Sequence, residues 1–422
     1  MRILIWHGYL LGGTGSNVYT RSLARTWSRQ GHEVVVLCQD PHPEQYDLGG
    51  ARVVRPQLDG PLPVFVLDRY EDATPVLLPT MPSADRERFV EVNAAAIRAE
   101  LPADLLLVNH VLLGAPVGVA AGMPFVVKVH GSELEYAMRG DPGLSAWGRE
   151  TLDAATAVLA GSDHIVEVLD EVVGSGVYRD RLHVVPPGVD VQALTPRPRS
   201  VALPALLAAS RSDPPNPPEA HDERQPDPAN AARLEGFLAD DGKPTILYVG
   251  KLSAEKGVHL LLEALRGLDA RAVIVGFGPA RAALEQQAGD RVLFTGPLEH
   301  RHLAQLWALA DVAVTPSVFP EAFGMVAAEA AACGCPPLVA RHSGLAEIAA
   351  SIEAAYPSEH RHLAAFFPGD ADDLHAKLAA LLALPAEERA RLAAAARAIA
   401  VERWSWERVA DRIVELGAPP QR

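Results

Sequence analysis

Short apolar runs alternate with amphipathic helical stretches from the first residue onward. RILIWH, NVYTRSLARTWSRQG and HEVVVLCQD follow one another as strand, helix and strand, the helix closing at Gly31. Strands joined through a helix run parallel, because such a crossover packs back onto the same sheet. DLLLVNH and PFVVKVH are further strands, short and apolar throughout, as strands covered on both faces must be. AVLAGSDHIVEVL continues the pattern and RLHVVPPGV ends it. A second series begins after Pro244, with TILYVG, RAVIVGFG, RVLFTG, DVAVTPS and PPLVARH as its strands. The pattern predicts an α/β protein with two parallel sheets. The 422 residues, 49% of them hydrophobic, suffice for two domains, each of about 150 to 200 residues.

Between the two series the composition changes. Residues 195–230 hold nine prolines, with PPNPPEAHDERQPDPAN at the centre. Such a stretch is expected to form neither a packed strand nor a long helix, but a mobile insertion or linker. Deletion of residues 205–225 should then leave a folded, active protein. The domain boundaries that follow are 1–195, a linker at 196–240, a second domain at 241–400 and a terminal helix at 401–422.

Charge and cysteine content narrow the class. A net charge of −15 excludes nucleic acid as the main partner. No run approaches the roughly 18 apolar residues of a membrane span, and RILIWHGYL lacks the length and cleavage site of a signal peptide. A cytoplasmic location is expected. Cys38, Cys333 and Cys335 read as buried, reduced thiols, since no second pair or nearby histidines stand at zinc spacing.

Two segments carry chemistry. In PEAFGMVAAEA, Pro320 disfavours helix at the residue before it, so a helix can start near Phe323 and Gly324, with Met325 in its first turn. Its free N–H groups and dipole would then face an anion. Glu321 stands at the mouth and Glu329 about two turns on, at a similar bearing. The pair alone would also fit an ordinary Ala-rich helix with solvated glutamates. The second segment, VGKLSAEKGVHLLLEAL, decides between these. Only five lysines occur in the chain (128, 243, 251, 256 and 377), and two of them, Lys251 and Lys256, share one strand-to-helix loop. Cations at the C-terminal end of a parallel strand are where an α/β fold holds phosphate.

GKLSAEKG, PEAFGMVAAEA and the later GLAEI resemble the donor domain of the family 4 retaining glycosyltransferases, which have the GT-B fold. The likeness extends over nearly the whole chain, through the glycine loop LGGTGSNVYT, HGSE at 130–133, VVPPGVD at 184–190 and the closing WSWERVADRIVEL. It implies two Rossmann-like domains facing a cleft, the first binding acceptor and the second a nucleotide sugar, UDP-linked by preference and GDP-linked as the alternative. The closing helix would return to the first domain.

The resemblance assigns catalytic roles to Glu321, His130, Lys256 and Lys251. Glu321 would touch donor-sugar hydroxyls, and His130 would lie near the sugar C6 and anomeric centre. Glu329, Phe323, Gly324, Met325, Gly13, Gly15 and Gly276 would bind the donor, Glu329 through its ribose. Asn17 would contact a phosphorylated polyol acceptor, unless it serves as a helix cap. Two departures stand out: Lys251 occupies a place where arginine is common, and Pro187 one where asparagine is common. In the loop, either Thr14 and Gly15 or Gly12 and Gly13 stand for the usual glycine pair. No cofactor and no metal are implied. The transfer would proceed by front-face substitution, for the motifs supply no nucleophilic carboxylate for a double displacement.

Other features read as structural. Asp370 and Asp372 are expected to be helix caps and first-turn charges rather than a DxD metal motif. GFGP at 276–279 lacks a dinucleotide fingerprint and is expected to let backbone approach the nucleotide base. Glu133 and Glu135 are expected at a solvated helix start. Arg21, Arg25 and Arg29 form a solvated charged face, with peripheral contact to an anionic membrane as the less favoured alternative. Residues 55–145 should shape the acceptor site, a small molecule or glycan. Another GT-B chemistry, such as an epimerase or phosphorylase, and a non-catalytic sugar-nucleotide binder are the alternatives; the sequence leaves the oligomeric state open.

Overall fold

The computed structural model describes residues 1–67, 70, 72–217, 219, 222–239 and 242–417. The chain separates into two compact units, Met1–Gly188 together with the segment from Trp406 onward, and Val189–Ser405.

The first unit holds β1 (Arg2–Trp6), β2 (Glu33–Leu37), β3 (Arg52–Val54), β4 (Leu62–Val64), β5 (Pro75–Leu77), β6 (Leu105–Asn109), β7 (Val126–Lys128), β8 (Ala157–Ala160) and β9 (Leu182–Val184). Seven of them form a parallel sheet in the order β3-β2-β1-β6-β7-β8-β9, and β4 pairs with β5 in a separate parallel ribbon. Every residue of LLLVN in β6 is buried, as a strand covered on both faces requires. The helix Gly15–Arg29 turns Tyr19, Leu23 and Trp27 inward at four-residue spacing. The terminal helix Trp406–Gly417 lies against it: Trp27 Nε1 donates to the Ala410 carbonyl at 3.3 Å, and the rings of Tyr19 and Trp406 are 5.6 Å apart. A Cβ on Gly188 would meet the Trp406 ring at 2.5 Å, so the chain can pass there only as glycine. Each large apolar side chain buried on this helix contributes about 1.5 to 3 kcal/mol, which ties the end of the chain to the first unit. The terminal helix expected at 401–422 therefore begins at Trp406; residues 418–422 lie outside the described residues.

The second unit holds β10 (Thr245–Val249), β11 (Arg271–Val275), β12 (Val292–Gly296), β13 (Val312–Thr315), β14 (Pro337–Ala340) and β15 (Ala365–Phe366), parallel in the order β12-β11-β10-β13-β14-β15. Five of these strands are those read from the sequence; β15, two residues long, is too short to carry a pattern. In both sheets the order reverses at one place, between β1 and β6 and between β10 and β13. Ligands of open α/β sheets bind at the carboxyl ends of strands flanking such a reversal.

The proline-rich stretch differs from expectation. The described residues of 196–240 are not a linker but belong to the second unit. Arg199–Arg211 is a 13-residue helix whose Ala202, Leu206, Leu207 and Ser210 are buried, and Asn230–Phe237 is another, with Leu234 in the core. The prolines do not interrupt this pattern. Pro196 and Pro198 precede the first helix, and Pro214 onward follow it. Only Pro204 lies inside, at the cost of one backbone hydrogen bond. Pro218, and residues 220, 221, 240 and 241 around the expected boundaries, lie outside the described residues.

Candidate active site

In the second unit the loop leaving β10 is pressed against the exit of β13. Gly257 makes this approach, with φ +66° and the Pro316 carbonyl oxygen 1.9 Å from where a Cβ would sit. The short turn Ala254–Lys256 before it presents Lys256, whose Nζ pairs with Glu321 Oε1, 65 residues away in sequence. Lys251 is exposed at the start of the same loop, and the Tyr248 hydroxyl donates to its carbonyl at 2.8 Å. Glu255, between the two lysines, is held below the usual carboxylate range, first by the Ser253 hydroxyl and also by both lysine charges. Gly276 and Gly278 let the next loop lie on this one, since a Cβ on either would meet the carbonyl oxygen of Gly250 at 1.8 Å or of Leu252 at 2.5 Å. The close approach that these two glycines make in GFGP is to backbone of a neighbouring loop.

The segment after β13 is fixed by the loop after β14. Ser343 Oγ accepts from the Glu321 N–H at 2.8 Å, the Gly344 N–H donates to the Glu321 carbonyl at 2.9 Å, and His342 Nε2 donates to the Ser317 carbonyl at 2.7 Å. The helix Met325–Ala332 then begins at Gly324, whose φ of +111° and contact with Leu345 leave no room for a side chain. Of its first-turn N–H groups, that of Ala327 already donates to the Gly324 carbonyl at 3.0 Å, and those of Met325 and Val326 stand at the positive end of the dipole. Met325 is half-buried there. Phe323 points elsewhere: its ring is buried edge-on to Trp404 at 5.9 Å, so only its backbone is left to meet a donor. Glu329 is buried on the second turn, with Oε1 3.7 Å from His300 Nε2. Lys256 and Glu321 therefore meet at the β10/β13 reversal, with Lys251 on the same loop as Lys256 and with Gly324 and Glu329 on the segment that follows Glu321.

The first unit has its own cluster at the ends of β1, β6 and β7. Gly13 takes φ +93° in the glycine loop and the helix opens at Gly15, but the N-cap position belongs to Thr14. Asn17 is buried within the first turn and is no cap: its amide donates to the Gly12 carbonyl, and its Oδ1 meets His7 Nε2 at 2.7 Å. Those bonds hold the side chain within the glycine loop and the end of β1.

Three imidazoles meet here, His7 to His110 at 6.1 Å and His110 to His130 at 4.5 Å between ring centroids. His130 Nε2 faces Asn109 Oδ1 at 2.9 Å. Because the Asn109 amide nitrogen is turned to the Trp6 carbonyl and Thr20 Oγ1, its oxygen must accept, and His130 carries its hydrogen on Nε2. His130 is thus held at its strand end as expected, with that nitrogen engaged within the unit. Burial, reinforced by the neighbouring imidazoles, pushes His7 down to about 3 and His130 well below its ordinary value, so both are neutral at pH 7. Lys128, buried against the Val185 carbonyl at 2.9 Å and 5.3 Å from the Tyr19 ring centroid, is lowered to about 7 by desolvation.

Glu133 is the largest departure from the sequence reading. It is not solvated but fully buried, with Oε2 2.8 Å from His110 Nδ1 and Oε1 accepting the His130 N–H at 3.0 Å. His110 itself has φ +74°, a left-handed conformation that costs about 1 kcal/mol or more outside glycine and marks functional sites. With Nδ1 turned to Glu133, its buried Nε2 has no hydrogen-bond partner among the described residues, and neither has the buried hydroxyl of Tyr9, whose ring is 5.2 Å away. Neither residue was singled out by sequence. A histidine closing the strand DLLLVNH was the available signal.

The remaining readings resolve simply. Asp370 caps the helix Ala371–Ala383, accepting from the Asp373 N–H at 2.9 Å, and Asp372 lies in its first turn. Among the described residues no group of three or more His, Cys, Asp or Glu is placed to hold a metal. Cys38, Cys333 and Cys335 are buried free thiols. The arginine face is engaged within the unit rather than simply solvated, Arg21 lying over the Tyr46 ring and Arg29 pairing with Asp47 at 2.6 Å. No helix among the described residues is long and apolar enough to cross a membrane.

Comparison with known proteins accords with this geometry. Residues 13–193 match the family described as Glycosyltransferase Family 4, and residues 233–399 match Glycosyl transferases group 1. A D-inositol 3-phosphate glycosyltransferase of Xylanimonas cellulosilytica is 31% identical over 96% of this chain and 91% of its own. A GDP-mannose-dependent alpha-(1-6)-phosphatidylinositol dimannoside mannosyltransferase of Mycobacterium tuberculosis is 43% identical over 124 residues, 28% of this chain and 32% of that one. Among solved structures, sucrose-phosphate synthase from Thermosynechococcus elongatus has a TM-score of 0.68 at 21% identity, covering 99% of this chain and 98% of that one. Anabaena Alr3699/HepE, solved with UDP-glucose, has a TM-score of 0.67 at 19% identity, with 98% of each chain covered.

Proposed function

The chain belongs to glycosyltransferase family 4 and has the GT-B fold, and from that premise we propose that it moves a hexosyl group from a nucleoside-diphosphate sugar to an acceptor hydroxyl with retention, giving an α-glycoside. One observation carries this reading: Lys256 and Glu321, distant in sequence, are joined in an ion pair beside a free helix N-terminus at the sheet reversal of the second unit.

The parts have separable tasks. Glu329 accepts from the ribose hydroxyls. The first-turn amides after Gly324 meet the diphosphate, and Lys251 and Lys256 neutralise the charge that grows on it as the sugar–phosphate bond breaks. Glu321 accepts from hydroxyls of the donor sugar and is held in direction by Lys256 and Ser343. As the bond breaks, the departing phosphate oxygen takes the proton of the attacking hydroxyl on the same face of the sugar, so no carboxylate nucleophile is needed. With the leaving charge met by two lysines and amides, the reaction requires no divalent ion.

For the acceptor, the cluster at the end of β6 is the favoured contact. His110 Nε2 and the Tyr9 hydroxyl are buried polar atoms without partners among the described residues, a state that costs about 1 to 3 kcal/mol each until a ligand supplies the bond. A UDP-sugar is the favoured donor. A GDP-sugar is the second reading, supported by the 43% local identity to a GDP-mannose-dependent relative.

The test incubates the protein with UDP-glucose or GDP-mannose and D-inositol 3-phosphate or underivatised sugars, reading nucleotide release by mass spectrometry and the anomeric configuration of product by NMR. A β-linked product, or no nucleotide release with any sugar nucleotide, overturns the reading.

A further inference from the structure

The loop after β14 carries a serine where the backbone favours glycine. Ser343 has φ +48°, a left-handed conformation that strains any residue with a Cβ. Its neighbour Gly344 shows how tight the turn is: a Cβ there would meet the Phe323 Cα at 2.6 Å, so the loop lies directly on the segment that carries Glu321. The hydroxyl of Ser343 is used twice. Oγ accepts the Glu321 N–H at 2.8 Å and faces His342 Nδ1 at 3.0 Å. His342 Nε2 stands 2.7 Å from the Ser317 carbonyl, which can only accept, so Nε2 carries the ring hydrogen and Nδ1 takes that of the serine hydroxyl. The bonds run unbroken from Ser317 through His342 and Ser343 to the backbone of Glu321, and the Gly344 N–H adds a second hold on the Glu321 carbonyl at 2.9 Å. Next to Ser317, the Val318 N–H donates to the Glu255 carbonyl at 2.9 Å, one residue before Lys256.

We propose that Ser343, oriented by His342, is a positioning residue that sets donor-sugar specificity by fixing the backbone from which the Glu321 carboxylate reaches the sugar. The inference rests on the reading of Glu321 as the acceptor of donor-sugar hydroxyls. Lys256 holds the carboxylate end of that side chain and the β14 loop holds its backbone end. An acceptor fixed at both ends cannot follow a hydroxyl that epimerisation has moved, and a site built to bond one hydroxyl rejects a sugar that leaves the bond unmade. Strain of this kind persists where the surrounding structure holds it and the residue has a task. Glycine would remove the strain, and with it the hydroxyl.

Initial rates of the full chain with UDP-glucose against UDP-galactose, and with GDP-mannose against GDP-glucose, give the ratio of kcat/KM within each epimeric pair. That ratio does not depend on how much of the protein is folded, so lost stability alone cannot move it. In Ser343→Gly the ratio for the pair that the parent distinguishes should fall about threefold to tenfold, the range of one hydrogen bond, while Tm stays or rises as the strain is relieved. Ser343→Ala separates the hydroxyl from the added freedom of glycine and should show the same fall. His342→Ala should lower the ratio comparably, and Ser343→Gly added to it should lower it no further, because two changes on one path are not additive. Where a variant turns over too slowly, the ratio is read from calorimetric Kd values of the intact sugar nucleotides. A parent ratio in Ser343→Gly or Ser343→Ala, losses that multiply in the double variant, or a parent that uses both epimers alike overturns the inference. Glu321→Ala is run in parallel. If it keeps the parent ratio, the reading of Glu321 fails and the inference falls with it. If it collapses the ratio while Ser343→Gly keeps it, the positioning role alone is wrong.

Discussion

Replacing Lys256 by alanine separates chemistry from architecture at this site. The Lys256 side chain is 34% exposed and that of Glu321 21%, so their pair is partly screened. Partly exposed pairs of this kind contribute about 0.2 to 1 kcal/mol to stability, which for units of this size lowers Tm by about 2 to 4 °C at most. The effect on catalysis is larger because charge is created on the diphosphate during the reaction. A lysine about 4 Å from a phosphate oxygen, at an effective dielectric of about 20, contributes about 4 kcal/mol per unit charge. Loss of a preorganised contact to developing charge typically costs about 2.7 to 4 kcal/mol, or 100- to 1000-fold in kcat. Uridine or guanosine, lacking phosphate, should bind the variant as it binds the parent. The measurement pairs initial rates of nucleotide release at saturating donor with calorimetric nucleoside affinity and a thermal melt. Equal losses in turnover and nucleoside affinity, or a Tm fall well beyond that range, would show a general defect of the loop and refute the assignment of Lys256 to the leaving group.

Four further outcomes follow from the same geometry. Glu329→Ala should weaken UDP or GDP binding by about 1 to 3 kcal/mol, the worth of charged hydrogen bonds to two ribose hydroxyls; unchanged affinity by calorimetry would remove it from the site. Deletion of residues 205–225, harmless on the sequence reading, should now yield an insoluble or melted second unit, because it removes buried Leu206, Leu207 and Asp213, with about 2 to 5 kcal/mol lost for each core leucine; a soluble product with the parent Tm would contradict this. His7 is lowered from 6.5 to about 3 by burial, so the unfolded chain takes up its proton first: its contribution to stability is complete above about pH 6.5 and is lost as pH falls toward 3, at up to about 1.4 kcal/mol per pH unit. Urea midpoints of the parent should therefore fall more steeply over that window than those of His7→Gln, and parallel curves would refute it. Initial rates should be the same with and without excess chelator, and a collapse restored by magnesium or manganese would overturn the metal-independent mechanism.

Much of this protein is written in local pattern. Strand and helix periodicities, the parallel connection they impose and the loops that end at Lys256 and Gly324 follow from neighbouring residues alone, since covalent spacing decides which side chains share a face. Glu321, Glu329, Lys251 and Lys256 were legible as candidates for the same reason: each lies near a strand end or helix start, which the pattern locates. What the pattern could not decide is which polar side chain becomes buried and against what. Glu133 read as solvated because its partner His110 lies 23 residues earlier, just past the end of β6. The ring of Phe323 is buried against Trp404, a partner far along the chain that no local pattern announces. Prolines counted over a window concealed a helix that they flank, and buried Asp213 finds its charge partner in Arg301, 88 positions away. A buried charge or imidazole is tolerable only with its partner in place, and only the tertiary structure supplies that partner.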